Sequence, residues 1–133
     1  MPDRLPQSLL ILIVDDEHLI RWSLGEHFTD FGHRVLLAPT LQAARGHLAE
    51  KPDLMLLDLA LPDGNGLDFI GEAHATQPLL PIVVLSGHAS AEVARAVKAS
   101  GALDILQKPY AFDALDALLA GLYPPTSATR PLA

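Results

Sequence analysis

Apolar residues in this chain follow two alternating patterns. Short unbroken apolar runs occupy residues 9–14, 54–57 and 82–85, and each has the length of a strand. Between the runs, apolar residues return every three or four positions, which is the spacing of one face of a helix. Runs without a polar face indicate strands buried on both sides, as in a parallel sheet covered by helices. The alternation therefore predicts an α/β protein.

The pattern predicts five strands and five helices. The strands are expected at 9–14, 34–38, 54–58, 81–86 and 104–107. The helices are expected at 18–31, 40–50, 67–77, 90–100 and 112–122. Gly32 and Gly101 are the expected helix stops, and Thr40 is the expected N-cap of the second helix. In the first helix we expect a buried stripe that includes Phe31, and we interpret Trp22 as helix packing.

Parallel strands joined by helices leave few possible topologies, because their crossovers are right-handed. We expect a flavodoxin-like (βα)5 doubly wound parallel sheet with strand order 2-1-3-4-5. In that order the first and third strands are neighbours, and their ends carry Asp15, Asp16 and Asp58. Ligands bind such sheets where the strand order reverses. This edge is therefore the predicted functional site.

Length and composition set the expected boundaries. The 133 residues favour one domain, and half of them are hydrophobic, which argues against disorder. We predict a lead-in at 1–8 and a folded domain at 9–122. Residues 123–133 contain three prolines among small and polar residues. They are interpreted as a linker or tail towards an effector domain outside this sequence.

Charge and residue types argue against several classes of protein. The net charge is −7, whereas direct nucleic-acid binding needs clustered Lys and Arg. The chain has no cysteine, so disulfides and thiolate chemistry are excluded. No apolar run approaches the roughly 20 residues of a membrane helix, and no convincing signal peptide is present. We therefore expect a cytoplasmic protein without a membrane partner.

Polar side chains stand at the ends of four of the predicted strands: Asp15 with Asp16, Asp58, Ser86 and Lys108. Carboxylates crowded together repel one another, and Mg²⁺ relieves this because it prefers hard oxygen ligands. One carboxylate is alternatively a nucleophile that forms an aspartyl phosphate. A lysine cation suits pairing with Asp58 at rest and with phosphate after transfer. The residues thus predict phosphoryl chemistry assisted by Mg²⁺.

The order of these motifs resembles a known family. The motifs are Ile13–Glu17, Leu57–Gly66, Val84–Gly87, and Gly101-Ala102 followed by Lys108–Tyr110. Together they resemble the receiver domain of two-component response regulators, in the CheY-like superfamily. The resemblance implies a phosphorylation-controlled switch of an output such as transcription. Ile20–Leu24 and Ser86–His88 resemble receivers of NtrC-like enhancer-binding activators more than the chemotaxis type.

The resemblance implies that Asp58 is the phosphoacceptor. The phosphoryl donor would be a sensor histidine kinase or a phosphotransfer protein. Asp16 and Asp58 would bind Mg²⁺ directly together with the backbone carbonyl of Ala60, and Asp15 would act mainly through a metal-bound water. Such a domain catalyses its own phosphorylation and dephosphorylation without being an enzyme in the metabolic sense.

The resemblance also assigns the residues that respond to phosphate. Ser86 would be the switch hydroxyl and Lys108 the phosphate-pairing cation. Ala60 and His88 would modulate the lifetime of the phosphoryl group.

Two positions depart from the family pattern. Ile105 stands where the family usually has the Tyr or Phe that couples the switch hydroxyl to the output surface. Leu103 stands where an acidic residue is common. We therefore expect an apolar face on the fourth helix, fifth strand and fifth helix, which suits a partner or a homodimer.

Three other interpretations compete with this one. Asp15 and Asp16 could simply cap the first helix, as acidic residues often do. The domain could be a protein-interaction module that no longer uses phosphate. A flavin-binding electron carrier shares the fold, but Asp15, Asp16 and Glu17 would repel the cofactor phosphate.

Overall fold

The computed structural model describes residues 8–123. Its strands are β1 (Leu10–Val14), β2 (Arg34–Ala38), β3 (Leu54–Asp58), β4 (Ala60–Leu61), β5 (Gly64–Asn65), β6 (Ile82–Ser86) and β7 (Asp104–Gln107). Its helices are α1 (His18–Asp30), α2 (Leu41–His47), α3 (Gly66–Thr76), α4 (Ala91–Ala99) and α5 (Phe112–Leu122), and a 3-10 turn (Leu48–Glu50) follows α2. Most of the predicted lead-in and linker, at 1–7 and 124–133, lies outside the described residues.

Five strands form a parallel sheet in the order β2-β1-β3-β6-β7. Counted within this sheet alone, the order is 2-1-3-4-5, so the predicted topology is confirmed. Every residue of β1, β3 and β6 is buried. This explains why these strands are the unbroken apolar runs of the sequence. The edge strands β2 and β7 are only partly buried.

Helices cover both faces of the sheet, as a doubly wound fold requires. Side chains alternate between faces along a strand. On one face, Leu12, Met55 and Val84 join a cluster with apolar residues of α2, α3 and α4. On the other face, α1 contacts β1 and β2. The core therefore consists of two layers on either side of the central strands.

Residues Leu9–Lys108 form one compact unit, and α5 belongs to a second one. Within α5 the buried residues are Leu115 and Leu119. They are four positions apart, so they share one face of the helix, which agrees with the predicted apolar stripe. Among residues 8–123, no helix is both long and apolar enough to cross a membrane.

Two expectations about α1 are wrong. Trp22 is 57% exposed, because it lies two residues before buried Leu24 and two residues turn the helix by about 200°. Phe31 is 61% exposed. The helix ends at Asp30, and Phe31 has left the helical path at φ −91° and ψ 8°. Gly32 then turns the chain at φ 89°, a conformation that favours glycine.

A short hairpin follows Asp58, at a place where no strand was predicted. β4 pairs antiparallel with β5, and two-residue strands are too short to leave a periodic pattern in a sequence. The hairpin holds the start of α2: Asp63 Oδ1 accepts the amide of Leu41 at 2.9 Å, and Oδ2 accepts the amide of Gln42 at 3.0 Å. The predicted cap is also present, because Thr40 Oγ1 accepts the amide of Ala43 at 3.1 Å.

Asp63→Ala should lower the free energy of unfolding at neutral pH, and the loss should fade in acid. The amides of Leu41 and Gln42 lower the pKa of Asp63 below its usual range. A lowered folded-state pKa gives stability above the ordinary aspartate pKa, about 3.9. That stability disappears as the pH falls through the folded-state pKa. Urea denaturation from about pH 7 to about pH 3 measures the effect.

The control for this experiment is Asp30→Ala, which removes an exposed aspartate at the end of α1. An Asp63→Ala loss of equal size across the whole pH range would contradict a role for the ionised carboxylate.

Candidate functional site

Three carboxylates meet where β1 and β3 end. Asp15 is fully buried, Asp58 is 6% exposed and Asp16 is exposed. Ligand oxygens of all three lie within 4.8 Å of one another. The strand register explains this. Val14 pairs with Leu57, so the next residues, Asp15 and Asp58, lie side by side at the same edge of the sheet. The predicted convergence of Asp15, Asp16 and Asp58 is therefore present.

Lys108 places its ammonium group among these carboxylates. Its Nζ lies 2.8 Å from Asp15 Oδ2, 3.3 Å from Asp58 Oδ2 and 3.3 Å from Glu17 Oε1. Only 15% of the Lys108 side chain is exposed. The expected pairing with Asp58 is present, but the shortest contact is to Asp15. The amide of Lys108 also donates to the carbonyl of Ser86 at 2.7 Å, which fixes the backbone from which the side chain extends.

The surroundings shift the pKa of both partners upwards. Burial is the largest cause of the raised pKa of Asp58, and the charge of Asp15 raises that pKa further. The hydrogen bond from the Ala60 amide and the charge of Lys108 lower it, but they do not outweigh burial and Asp15. For Lys108, burial lowers the pKa, but the hydrogen bond and charge of Asp15 outweigh it, helped by Asp58 and Glu17. The ammonium thus stays charged, whereas the ionised Asp58 carboxylate is incompletely compensated.

Two hydrogen bonds from the residues that follow Asp15 hold it in place. Asp15 Oδ1 accepts the amide of Glu17 at 2.9 Å, and Arg21 Nη1 donates to the Asp15 carbonyl at 2.8 Å. The residue before α1 is Glu17, whose side chain makes no capping hydrogen bond. Asp15 therefore faces the site instead of capping α1. Glu17 and Arg21 were not among the predicted site residues, although Glu17 stands as a third consecutive carboxylate after the strand.

The hairpin after β3 packs closely against Asp58. Asp58 Oδ1 accepts the amide of Ala60 at 3.2 Å. A Cβ added at Gly66 would lie 3.0 Å from both the Asp58 carbonyl oxygen and Leu59 Cα. A larger residue at this position would have to displace the backbone after the strand by a few tenths of an ångström.

The Ser86 hydroxyl is engaged by its own loop. Ser86 Oγ accepts the amide of His88 at 3.0 Å and donates to the His88 carbonyl at 3.1 Å. Ser86 is buried, whereas His88 is exposed. To donate to a phosphoryl oxygen, the hydroxyl would have to give up its hydrogen bond to the His88 carbonyl, because it has a single donor.

The two departures from the family pattern occupy different environments. Ile105 is partly buried, packs against the core and pairs with Val84 in the sheet. Leu103 is 43% exposed. Of the two residues, only Leu103 thus presents a large apolar side chain to solvent.

The donor set fits a hard divalent cation. Within residues 8–123, Asp15, Asp16 and Asp58 are the one group of three candidate ligand residues whose atoms lie this close together. Carboxylate oxygens at a partly open site suit Mg²⁺, which keeps several waters. The partly uncompensated charge of Asp58 gives such a cation a favourable interaction.

Comparison with known proteins identifies the family. The family model described as response regulator receiver domain matches residues 11–120. The chain belongs to this family. The receiver domain is 41% identical over 112 residues to KdpE of Escherichia coli, a KDP operon transcriptional regulatory protein, and this match covers 82% of the chain and 48% of KdpE.

Similarity extends to the NtrC type. The receiver is 29% identical to the transcriptional regulator NtrC of Salmonella typhimurium, over 85% of the chain and 24% of NtrC. It thus spans half or less of the length of these two relatives. A solution structure of the beryllofluoride-activated NtrC4 receiver domain dimer has a TM-score of 0.80, with 29% identity over 86% of this chain and 95% of that one. The higher identity to KdpE gives no preference to the NtrC-like subclass.

Asp58→Asn should raise the free energy of unfolding of the metal-free protein at neutral pH. The substitution removes a buried charge beside Asp15 and keeps the shape of the side chain. Urea denaturation with a chelator present measures the change, and Asp68→Asn on the exposed face of α3 is the control. Added Mg²⁺ should narrow the difference, because it stabilises only the folded wild type. A destabilised Asp58→Asn variant would contradict this account.

Lys108→Met should lower the free energy of unfolding by about 3 kcal/mol, because it leaves Asp15 and Asp58 buried together without a cation. Lys98→Met, at an exposed position of α4, should change it by no more than about 0.5 kcal/mol. Equal losses in the two variants would show that the Lys108 ion pairs do not stabilise the fold.

Proposed function

We propose that this receiver domain is phosphorylated on Asp58 by a sensor histidine kinase or a phosphotransfer protein, and that the aspartyl phosphate switches an output such as transcription. The observation that carries the proposal is the Lys108 ammonium between the Asp15 and Asp58 carboxylates, at 2.8 and 3.3 Å. The names of KdpE and NtrC support transcription as the output. A cytoplasmic location follows from such a role.

In the proposed reaction, a carboxylate oxygen of Asp58 attacks the phosphorus of the donor. A phosphorus–oxygen bond forms to Asp58, and the bond between phosphorus and the donor histidine nitrogen breaks with its electron pair remaining on nitrogen. Asp15, Asp16, Asp58 and the Ala60 carbonyl would hold Mg²⁺, which when bound offsets the charge of the phosphoryl oxygens. Lys108 would offset part of the same charge from the other side.

After transfer, Ser86 and Lys108 are the proposed sensors of the phosphoryl group. The Ser86 hydroxyl would exchange the His88 carbonyl for a phosphoryl oxygen as its acceptor. To drive a population from 1:99 to 99:1, phosphate must favour the active state by about 5.5 kcal/mol. Ile105 cannot contribute a moving ring, so the contacts of Ser86 and Lys108 would supply that preference.

Dephosphorylation depends on water reaching the phosphoryl group. We assign Ala60 and His88 as the residues that modulate the lifetime, because both are exposed beside the site, Ala60 at the start of β4 and His88 in the loop after β6. A small Ala60 side chain leaves the approach open, whereas His88 is large enough to obstruct it.

Self-association is the proposed use of the apolar surface around Leu103. This residue precedes β7, which contacts α4, and it is 43% exposed. The NtrC4 receiver dimer supports self-association in a related domain. Direct nucleic-acid binding is not proposed, because the chain carries a net charge of −7.

A second candidate is an interaction module that does not use phosphate. Ile105 in place of an aromatic residue and the Ser86 hydroxyl bonded within its own loop favour it. The acidic cluster and Lys108 disfavour the interaction module. A surface that only binds a partner does not need two buried carboxylates paired with a lysine.

Incubation with acetyl phosphate and Mg²⁺ tests the assignment of the phosphoacceptor. Intact-protein mass spectrometry should show one added phosphoryl group in the wild type and none when Mg²⁺ is chelated. Asp58→Ala should abolish the addition, because it removes the nucleophile. Asp68→Ala, an exposed aspartate of α3, should leave the addition unchanged. Phosphate retained by Asp58→Ala, or absent from the wild type, would refute the assignment and favour the interaction module.

A further inference from the structure

Glu17 is the one partner of Lys108 to which the proposed function gives no role. It precedes α1 in an extended conformation, with φ −84° and ψ 117°, and its side chain makes no hydrogen bond to the helix. An aspartate at this position often accepts an amide of the first turn through its side chain. Here Glu17 Oε1 instead lies 3.3 Å from Lys108 Nζ, 91 residues further along the chain. The side chain is thus directed towards the site and away from the helix.

The contacts of Lys108 leave its ammonium group fully engaged. An ammonium has three N–H donors and no acceptor. Three carboxylates, from Asp15, Glu17 and Asp58, lie within 3.3 Å of Nζ. A phosphoryl oxygen on Asp58 therefore cannot receive a hydrogen bond from Lys108 unless one carboxylate gives up its own.

Burial decides which carboxylate is released most easily. Asp15 is fully buried and makes the shortest contact, so losing Lys108 would leave a buried charge without a counterion. Phosphorylation turns the Asp58 carboxylate into a neutral acyl group, so its contact with Lys108 weakens, and Asp15 and Glu17 remain as charged acceptors. The Glu17 side chain is 61% exposed, and water can replace its ion pair at small cost.

We propose that Glu17 is a positioning residue that holds Lys108 across the opening of the site until a phosphoryl group replaces it. The inference rests on the proposed function and concerns how the same site is regulated. Glu17 acts through Lys108 and touches no reacting atom. Its carboxylate has two opposing effects: its charge favours a cation nearby, and its contact with Lys108 competes with the phosphoryl group.

Beryllofluoride separates these effects, because it mimics a phosphoryl group on an aspartate without covalent transfer. Isothermal titration calorimetry measures two affinities, for Mg²⁺ alone and for beryllofluoride at saturating Mg²⁺. With Glu17→Gln, beryllofluoride should bind about two- to five-fold more tightly, the range of an exposed ion pair. Mg²⁺ alone should bind about two- to five-fold more weakly, since a nearby negative charge is lost. Glu26→Gln, exposed on α1, should change neither affinity.

Glu17→Asp distinguishes reach from charge. It keeps the charge but shortens the side chain by one methylene, so Mg²⁺ should bind as in wild type while beryllofluoride binds more tightly. The beryllofluoride difference between wild type and Glu17→Gln should shrink at high salt, because exposed ion pairs are screened. A general disturbance of the fold would not produce this salt dependence.

The outcomes separate this inference from the proposed function. If the wild type does not bind beryllofluoride with Mg²⁺, the proposed function fails and the inference fails with it. If the wild type binds and both Glu17 variants match it, the inference alone is wrong. If Glu17→Gln tightens beryllofluoride binding but Glu17→Asp does not, Glu17 acts only through its negative charge and does not hold Lys108.

Discussion

The Lys108 ammonium is the charge on which the acidic edge of the sheet depends. Without it, Asp15 and Asp58 would be buried like charges, and the folded chain would have to bind a proton to keep them together. With it, the balance is still incomplete, because burial and Asp15 keep the pKa of Asp58 raised. The folded domain therefore holds an unsatisfied negative charge at the point where a cation and a phosphoryl donor would meet.

The sheet and the acidic cluster were predictable for the same reason. Strands β1, β3 and β6 are buried along their whole length, so their sequences are apolar up to the residue where each one ends. Once the strand order was inferred, Asp15 and Asp58 had to be neighbours, because parallel strands end at the same edge. Lys108 follows the last predicted strand. Its place at the same edge could therefore be predicted once that strand was located in the sequence.

What could not be predicted depends on local backbone geometry and not on periodicity. Glu17 contacts Lys108 because it is extended before α1, which no spacing of residues reveals. Phe31 has the right spacing for the buried stripe, but it lies just beyond the last helical residue. The β4–β5 hairpin consists of two-residue strands, so the contacts of Asp63 with α2 left no pattern in the sequence.

The contacts of Asp63 link the segment after the proposed phosphoacceptor, Asp58, to α2, from which no residue is assigned to the site. The hairpin begins two residues after Asp58, whose carboxylate accepts the amide of Ala60. In its turn lies Asp63, whose carboxylate accepts two amides at the start of α2. A displacement of the hairpin that withdrew Asp63 would leave those amides without this acceptor. The conformation of the hairpin is therefore energetically coupled to that of the first turn of α2.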